Sequence, residues 1–145
     1  MVFSRSVTTD WEGTVMDGGG VAKAGSGAFS LPVTFPNRIG DAAGKTSPEE
    51  LMAAAHAACF AMALNGALGR KSAKAKKTHV TATVSADKGD AGIKIVSSTL
   101  KVLVEGLEGM TAADFATFVK EADKGCPVSN AYRGTMQIEV EGSAK

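Results

Sequence analysis

This sequence is poor in the residues that usually carry chemistry: of 145 residues, two are cysteine, two histidine, one tryptophan and one tyrosine. Cys59 and Cys126 stand too far apart for a CxxC redox motif or a zinc-ligand pair, so no metal is expected. An excess of either charge is also missing. Sixteen Lys and Arg oppose 15 Asp and Glu, for a net charge of +1, which argues against nucleic acid or an anionic membrane as partner. There is no P-loop and no GxGxxG fingerprint, and no cofactor is expected. The opening Met1-Val2-Phe3-Ser4-Arg5 has no apolar core, so no secretory signal is read and the expected location is the cytoplasm. In that reducing compartment a permanent structural disulfide is uncommon, and two isolated cysteines are more often inert core residues. A hydrophobic content of 44% against 21% charged residues excludes disorder. A single domain spanning 1–145 is expected, large enough to bury its own core.

What the sequence does have is one long apolar run, Thr46–Gly69 (TSPEELMAAAHAACFAMALNGALG), with Cys59 near its middle. Its start is that of a helix. Ser47 suits the N-cap, Pro48 the first helical position, Glu50 closes an S-x-x-E capping box, and Glu49 favours the positive end of the helix dipole. Gly69 supplies a stop, followed by the positive Arg70 and Lys71. The run is mostly alanine, contains His56 and Asn65, and follows two glutamates, so it reads as a buried core helix rather than a membrane span. Leu51, Met52, Phe60, Met62, Leu64 and Leu68 occupy several azimuths. One sheet cannot cover them all, and a homodimer that packs two such helices together is expected.

Shorter patterns flank this helix. Trp11–Met16 is β-friendly and Asp17–Gly20 reads as a turn. Over 27–35, Phe29, Leu31, Val33 and Phe35 share one strand face, with Pro32 marking an edge strand or bulge. Residues 36–47 read as a loop carrying Arg38, and 71–77 as a charged linker. Residues 79–86 alternate as a half-buried strand, and Asp87–Gly92 turns the chain. A longer strand follows from Ile93 to Glu105, whose change of apolar phase predicts a bulge near Ile95–Ser98. Thr111 opens a second helix with Phe115, Phe118, Val119 and Ala122 at helical spacing. Cys126-Pro127 follows its Lys124-Gly125 stop, and Thr135–Glu141 is a last strand. The expected fold is α+β, in the order βββ-α-ββ-α-β, with an antiparallel sheet packed on two main helices.

Cys59 lies about three turns into its helix, beyond the reach of the helix dipole. A buried thiol has a raised pKa and is inert unless a cation reaches it. His56, one turn earlier on the same face, can form a Cys–His pair, although a lone buried histidine is more often a hydrogen-bonded core residue. Arg38 is the better activator because it stays charged and can bond a sulfur and a carboxylate at once, with Glu49 the nearest carboxylate to hold it. Glu49 and Cys59 are about 15 Å apart along a straight helix at 1.5 Å per residue. Either the helix is interrupted, or Arg38 and Glu49 serve the Cys59 of a partner subunit.

PEELMAAAHAACFAMAL together with GCPVSNAYRG resembles the OsmC/Ohr family of thiol-dependent hydroperoxide reductases, which are peroxiredoxin-like. The wording is nearer the OsmC branch, and the likeness extends from Trp11-Glu12-Gly13 to the final strand. The resemblance implies an OsmC-like fold in an intertwined homodimer with a buried cysteine-bearing helix. It implies that Cys59 is the peroxidatic thiol and Cys126 the resolving one, joined through an intramolecular disulfide. The family arginine falls on Arg38, and the glutamate after the proline selects Glu49. The implied substrate is an organic hydroperoxide and the implied reductant a dithiol such as a dihydrolipoyl group. Met52, Phe60, Met62 and His56 are the candidate pocket residues, an apolar lining that would favour organic peroxides. The expected activity is therefore an organic hydroperoxide reductase serving oxidative or osmotic stress. The rival is a non-catalytic, stress-related protein that binds a small apolar molecule on the same fold. A Cys–His hydrolase lacks an orienting group and an oxyanion-hole motif near His56.

Overall fold

Caps and tight turns divide the chain into six strands and four helices in the computed structural model, which describes residues 1–145. The order is β1 (Val7–Glu12), β2 (Gly19–Ala24), β3 (Ser30–Val33), α1 (Phe35–Ile39), α2 (Pro48–Arg70), β4 (Lys74–Gly89), β5 (Gly92–Glu108), α3 (Ala112–Asp123), α4 (Pro127–Tyr132) and β6 (Gln137–Ala144). The fold is α+β, as expected. Two units are distinguished, Met1–Leu51 and Met52–Lys145.

The first unit holds the antiparallel meander β1-β2-β3. Its strands lie elsewhere than the sequence pattern suggests. β1 ends at Glu12, so Val15 and Met16 form the exposed tip of a turn closed by the Gly18 N–H on the Thr14 carbonyl at 2.8 Å. Gly19 and Gly20 belong to β2, where Gly20 faces Trp11 and Val33 across the sheet. Pro32 does sit on an edge strand, β3, where its missing N–H disturbs least. Phe35 leaves that strand to start α1. The segment read as a loop from residue 36 is therefore partly helical: Thr34 caps α1 by accepting from the Asn37 N–H, and Pro36 suits its first turn. That short helix carries Arg38. Ser47 then caps α2 through the Glu50 N–H at 3.1 Å. The capping box is half formed, because the Glu50 carboxylate accepts from the Thr46 hydroxyl at 2.7 Å rather than returning to the cap.

The second unit is built on the sheet β4-β5-β6. β4 and β5 form a long hairpin. Ser85 pairs with Ser97 but Ala86 with Ile95, which leaves Val96 as the extra residue of a bulge in the expected place. β4 begins at Lys74, inside the stretch read as a linker, and the Lys74–Glu108 ion pair at 3.1 Å joins that strand end to β5. β6 departs from the antiparallel expectation and runs parallel to β5. The connection between them passes through α3 and α4, and such a helical crossover returns the chain in its starting direction. Thr111 caps α3 as predicted. Gly142 on β6 lets α3 approach closely, since a Cβ there would stand 2.8 Å from the Val119 Cγ1. The core joins Phe60, Leu64 and Leu68 of α2 to Leu100, Val102 and Val104 of β5 and Phe115 and Val119 of α3. Each such side chain contributes about 1.5–3 kcal/mol by leaving water.

α2 ends later than Gly69. Ser72 adopts a left-handed φ of 55°, and the Ala73 and Ser72 N–H groups bond the Leu68 and Gly69 carbonyls, a Schellman closure. By length and composition α2 could cross a membrane. Its His56, Phe60, Leu64, Ala67 and Leu68 face is nevertheless buried in protein. The other faces are partly buried or exposed, with Met62 71% exposed. The helix is therefore not buried all round, contrary to the expectation of a fully buried core helix.

Candidate active site

Two groups of candidate side chains stand out, one in each unit. In the first, α1 and the first turn of α2 bring Arg38 and Glu49 together. The Arg38 Nε donates to both carboxylate oxygens at 3.1 Å, and a terminal nitrogen donates to Oε1 at 2.6 Å. Both side chains are largely shielded, so this is a preorganised, charge-assisted fork rather than a loose surface pair. The guanidinium bonds push Glu49 below the usual carboxylate range against the opposing effect of burial, and the same bonds raise Arg38. Beside them lies an apolar groove of about 370 Å³ lined by Trp11, Val15, Val33, Phe35, Arg38 and Pro48. The sequence reading missed this groove, because its walls come from four separate stretches of the chain. The lone tryptophan was the one available signal.

In the second unit, Cys59 on α2 and Cys126 before α4 come together as free thiols. Cys126 is fully buried and caps α4, its Sγ accepting the Ser129 N–H at 3.5 Å. Cys59 is half-buried. Burial pushes its thiol up; the Val128 N–H opposes this, while hydrogen bonding and charge interaction with Cys126 add to the rise. The net effect disfavours the Cys59 thiolate.

His56 has both ring nitrogens occupied. Nδ1 is 2.7 Å from the Ser98 hydroxyl on β5, and Nε2 is 2.7 Å from the Ser129 hydroxyl on α4. Burial lowers its pKa, so the neutral imidazole donates to one serine and accepts from the other. Tyr132 packs edge-on at a centroid distance of 5.3 Å, and its hydroxyl donates to the Met52 carbonyl at 3.1 Å. Ser98, Ser129 and Tyr132 carry no signal of this in the sequence, because their partners are 42 to 80 residues away.

Of the four candidate pocket residues, two are corrected. His56 and Phe60 have no exposed surface and belong to the core: His56 is held by two serines, and Phe60 packs in the apolar cluster. Met62 is on the open face of α2, and Met52 is only partly covered. No group of three or more His, Cys, Asp or Glu is placed to hold a metal.

The family model for "OsmC-like protein" matches residues 40–141. The chain is 36% identical over 142 residues to "Peroxiredoxin OsmC" of Escherichia coli (strain K12), covering 97% of this chain and 98% of that protein. It is 32% identical over 125 residues to "Organic hydroperoxide resistance protein" of Xanthomonas axonopodis pv. citri (strain 306), covering 83% and 84% of the two chains. Among solved structures, an organic hydroperoxide resistance protein from Elizabethkingia anophelis superposes with a TM-score of 0.78 at 26% identity, over 100% of this chain and 99% of that one. With PEEL, HAACF and GCPVS on the elements that carry the ion pair and the thiol pair, this chain belongs to the OsmC-like protein family.

Proposed function

We propose that this protein is a thiol-dependent peroxidase that reduces organic hydroperoxides to alcohols in the cytoplasm, working as a homodimer. The observation that carries the reading is the juxtaposition of Cys59 and Cys126, both free thiols, with the Cys126 sulfur accepting the Ser129 N–H of α4. The Cys59 thiolate attacks the hydroperoxide; the O–O bond breaks, Cys59 becomes a sulfenic acid, and the alkoxide leaves as the alcohol after taking a proton. Cys126 then displaces water from that sulfenic acid to form the disulfide. A dithiol of the dihydrolipoyl type restores both thiols and is itself oxidised to a disulfide.

Arg38, oriented by Glu49, supplies the positive charge that stabilises the thiolate and polarises the peroxide. Ten residues of helix separate Glu49 from Cys59, so we assign this role across the dimer, to the Cys59 of a partner subunit. The apolar groove beside Arg38 suits the organic part of the substrate, and Met52 and Met62 are further lining in the dimer. The test is a single-turnover assay of the reduced protein with cumene hydroperoxide, followed by a thiol count and peptide mapping. Consumption of one peroxide with loss of two thiols, and a Cys59–Cys126 linkage, is the expected result. No reaction would favour the second reading, a non-catalytic binder of small apolar molecules. The partial burial of Cys59, which disfavours its thiolate, is the observation on that side.

A further inference from the structure

A disulfide closes only when two sulfurs approach within narrow limits of distance and direction. Cys126 begins a helix of six residues, α4, and a helix that short has little stability of its own. Its position must come from tertiary bonds. Two such bonds run antiparallel along α2: the Ser129 hydroxyl reaches His56, and the Tyr132 hydroxyl reaches the Met52 carbonyl. Ser129 is the junction, since its N–H also holds the Cys126 sulfur. His56 is the side chain that ties α4 to the helix bearing Cys59, one turn before that thiol, and its other nitrogen anchors it to Ser98 on β5. All three residues are fully buried, so water cannot replace a lost bond and the penalty falls on the geometry.

We propose that His56 is a positioning residue for the resolving step: through Ser129 it keeps the Cys126 thiol aligned with Cys59 and sets how fast the disulfide closes, without touching the peroxide. This rests on the reading of Cys126 as the resolving thiol. The step it governs joins the Cys59 sulfenic acid to the Cys126 thiol, forming one S–S bond and releasing one water. Sulfenic acid that waits for a misplaced thiol stays open to further oxidation, so His56 also protects Cys59.

The test is rapid mixing of the reduced protein with one equivalent of tert-butyl hydroperoxide. Peroxide loss and dimedone-trapped sulfenic acid report the first phase, and thiol loss reports closure. H56L and S129A are expected to slow closure about ten- to a hundredfold, as misplacements of about 1 Å do, and to accumulate sulfenic acid. The H56L/S129A double variant is expected to be no slower than the slower single variant, because both remove one link. H56Q, whose amide nitrogen mimics Nε2 and can reach Ser129, is expected to recover much of the rate. H56N, which mimics only the Nδ1 side toward Ser98, is not. Equal slowing of both phases, or equal recovery by Asn and Gln, overturns the proposal in favour of a purely structural histidine. If H56L does not fold, S129A, which loses one oxygen atom, carries the same comparison. A wild-type protein that reduces the peroxide but never links Cys59 to Cys126 overturns the resolving role itself, and with it this inference. Wild-type closure matched by H56L and S129A overturns the His56 role alone.

Discussion

Arg38→Met replaces a charged side chain by an apolar one of similar length, and it isolates the proposed activation of Cys59. Burial pushes that thiol above the ordinary cysteine range, with the Val128 N–H opposing, so the Cys59 thiolate is disfavoured at neutral pH unless a cation reaches it. A facing opposite charge lowers a pKa by about 1–3 units, or about 1.4–4 kcal/mol. Arg38 is fixed by three hydrogen bonds to Glu49, so its charge is already aimed and little reorganisation is needed. R38M is therefore expected to lower the second-order rate with tert-butyl hydroperoxide at neutral pH by about ten- to a thousandfold. The pH–rate profile is expected to move upward by the same interval, with recovery in alkali where Cys59 ionises unaided. The assay is single-turnover peroxide loss across the thiol titration range, beside thermal melts that check folding. A folded R38M protein with unchanged rate and profile would show that Arg38 does not activate Cys59. E49Q keeps a hydrogen-bond partner for Arg38 but loses the charge, and is expected to fall between the two.

Other outcomes follow from the same geometry. Cys59→Ser should abolish peroxide reduction, whereas Cys126→Ser should leave the first attack intact and block recycling by dithiol; turnover assays with and without dithiol separate the two. Trp11→Ala opens the apolar groove and should raise KM for cumene hydroperoxide about five- to thirtyfold, by loss of about 1–2 kcal/mol of apolar contact, while sparing hydrogen peroxide; equal effects on both substrates would remove the groove from substrate binding. Because Glu49 has a lowered pKa in the folded state, its contribution to stability is complete above the ordinary glutamate value of about 4.3. That contribution is lost as pH falls through the lowered value, so E49Q should flatten the acid limb of a melting-temperature profile. Gly142→Ala places a methyl 2.8 Å from Val119 and should cost about 1–3 kcal/mol in urea unfolding, since α3 must shift to admit it.

The strongest local signals were read correctly where they depend on neighbours in sequence. Ser47-Pro48 starts α2, Thr111 caps α3, and the phase change in β5 marks the bulge at Val96. Glycine and charge misled where long-range pairing outweighed local preference. Gly19 and Gly20 form a strand because β1 and β3 pair on both sides of it, and Lys74–Lys77 lie in a strand because β5 supplies the partner. The same limit applies to the sites. Arg38 with Glu49 was legible as a charge in need of a carboxylate. His56 was not legible as a tie between α2, α4 and β5, since neither serine that holds it lies near it in sequence.

The cysteine-bearing helix, its capped start, the α+β class and the four residues proposed for chemistry can all be read without coordinates. These rest on interactions within a few residues, or on motif wording that survives without coordinates. Coordinates were needed to see that β6 runs parallel to β5, that Arg38 rides on a short helix, and that Phe60 and His56 are core rather than pocket. Each of these depends on which distant segment a residue meets. That choice is made by burial and by pairing of polar groups across the whole chain, which no local periodicity encodes.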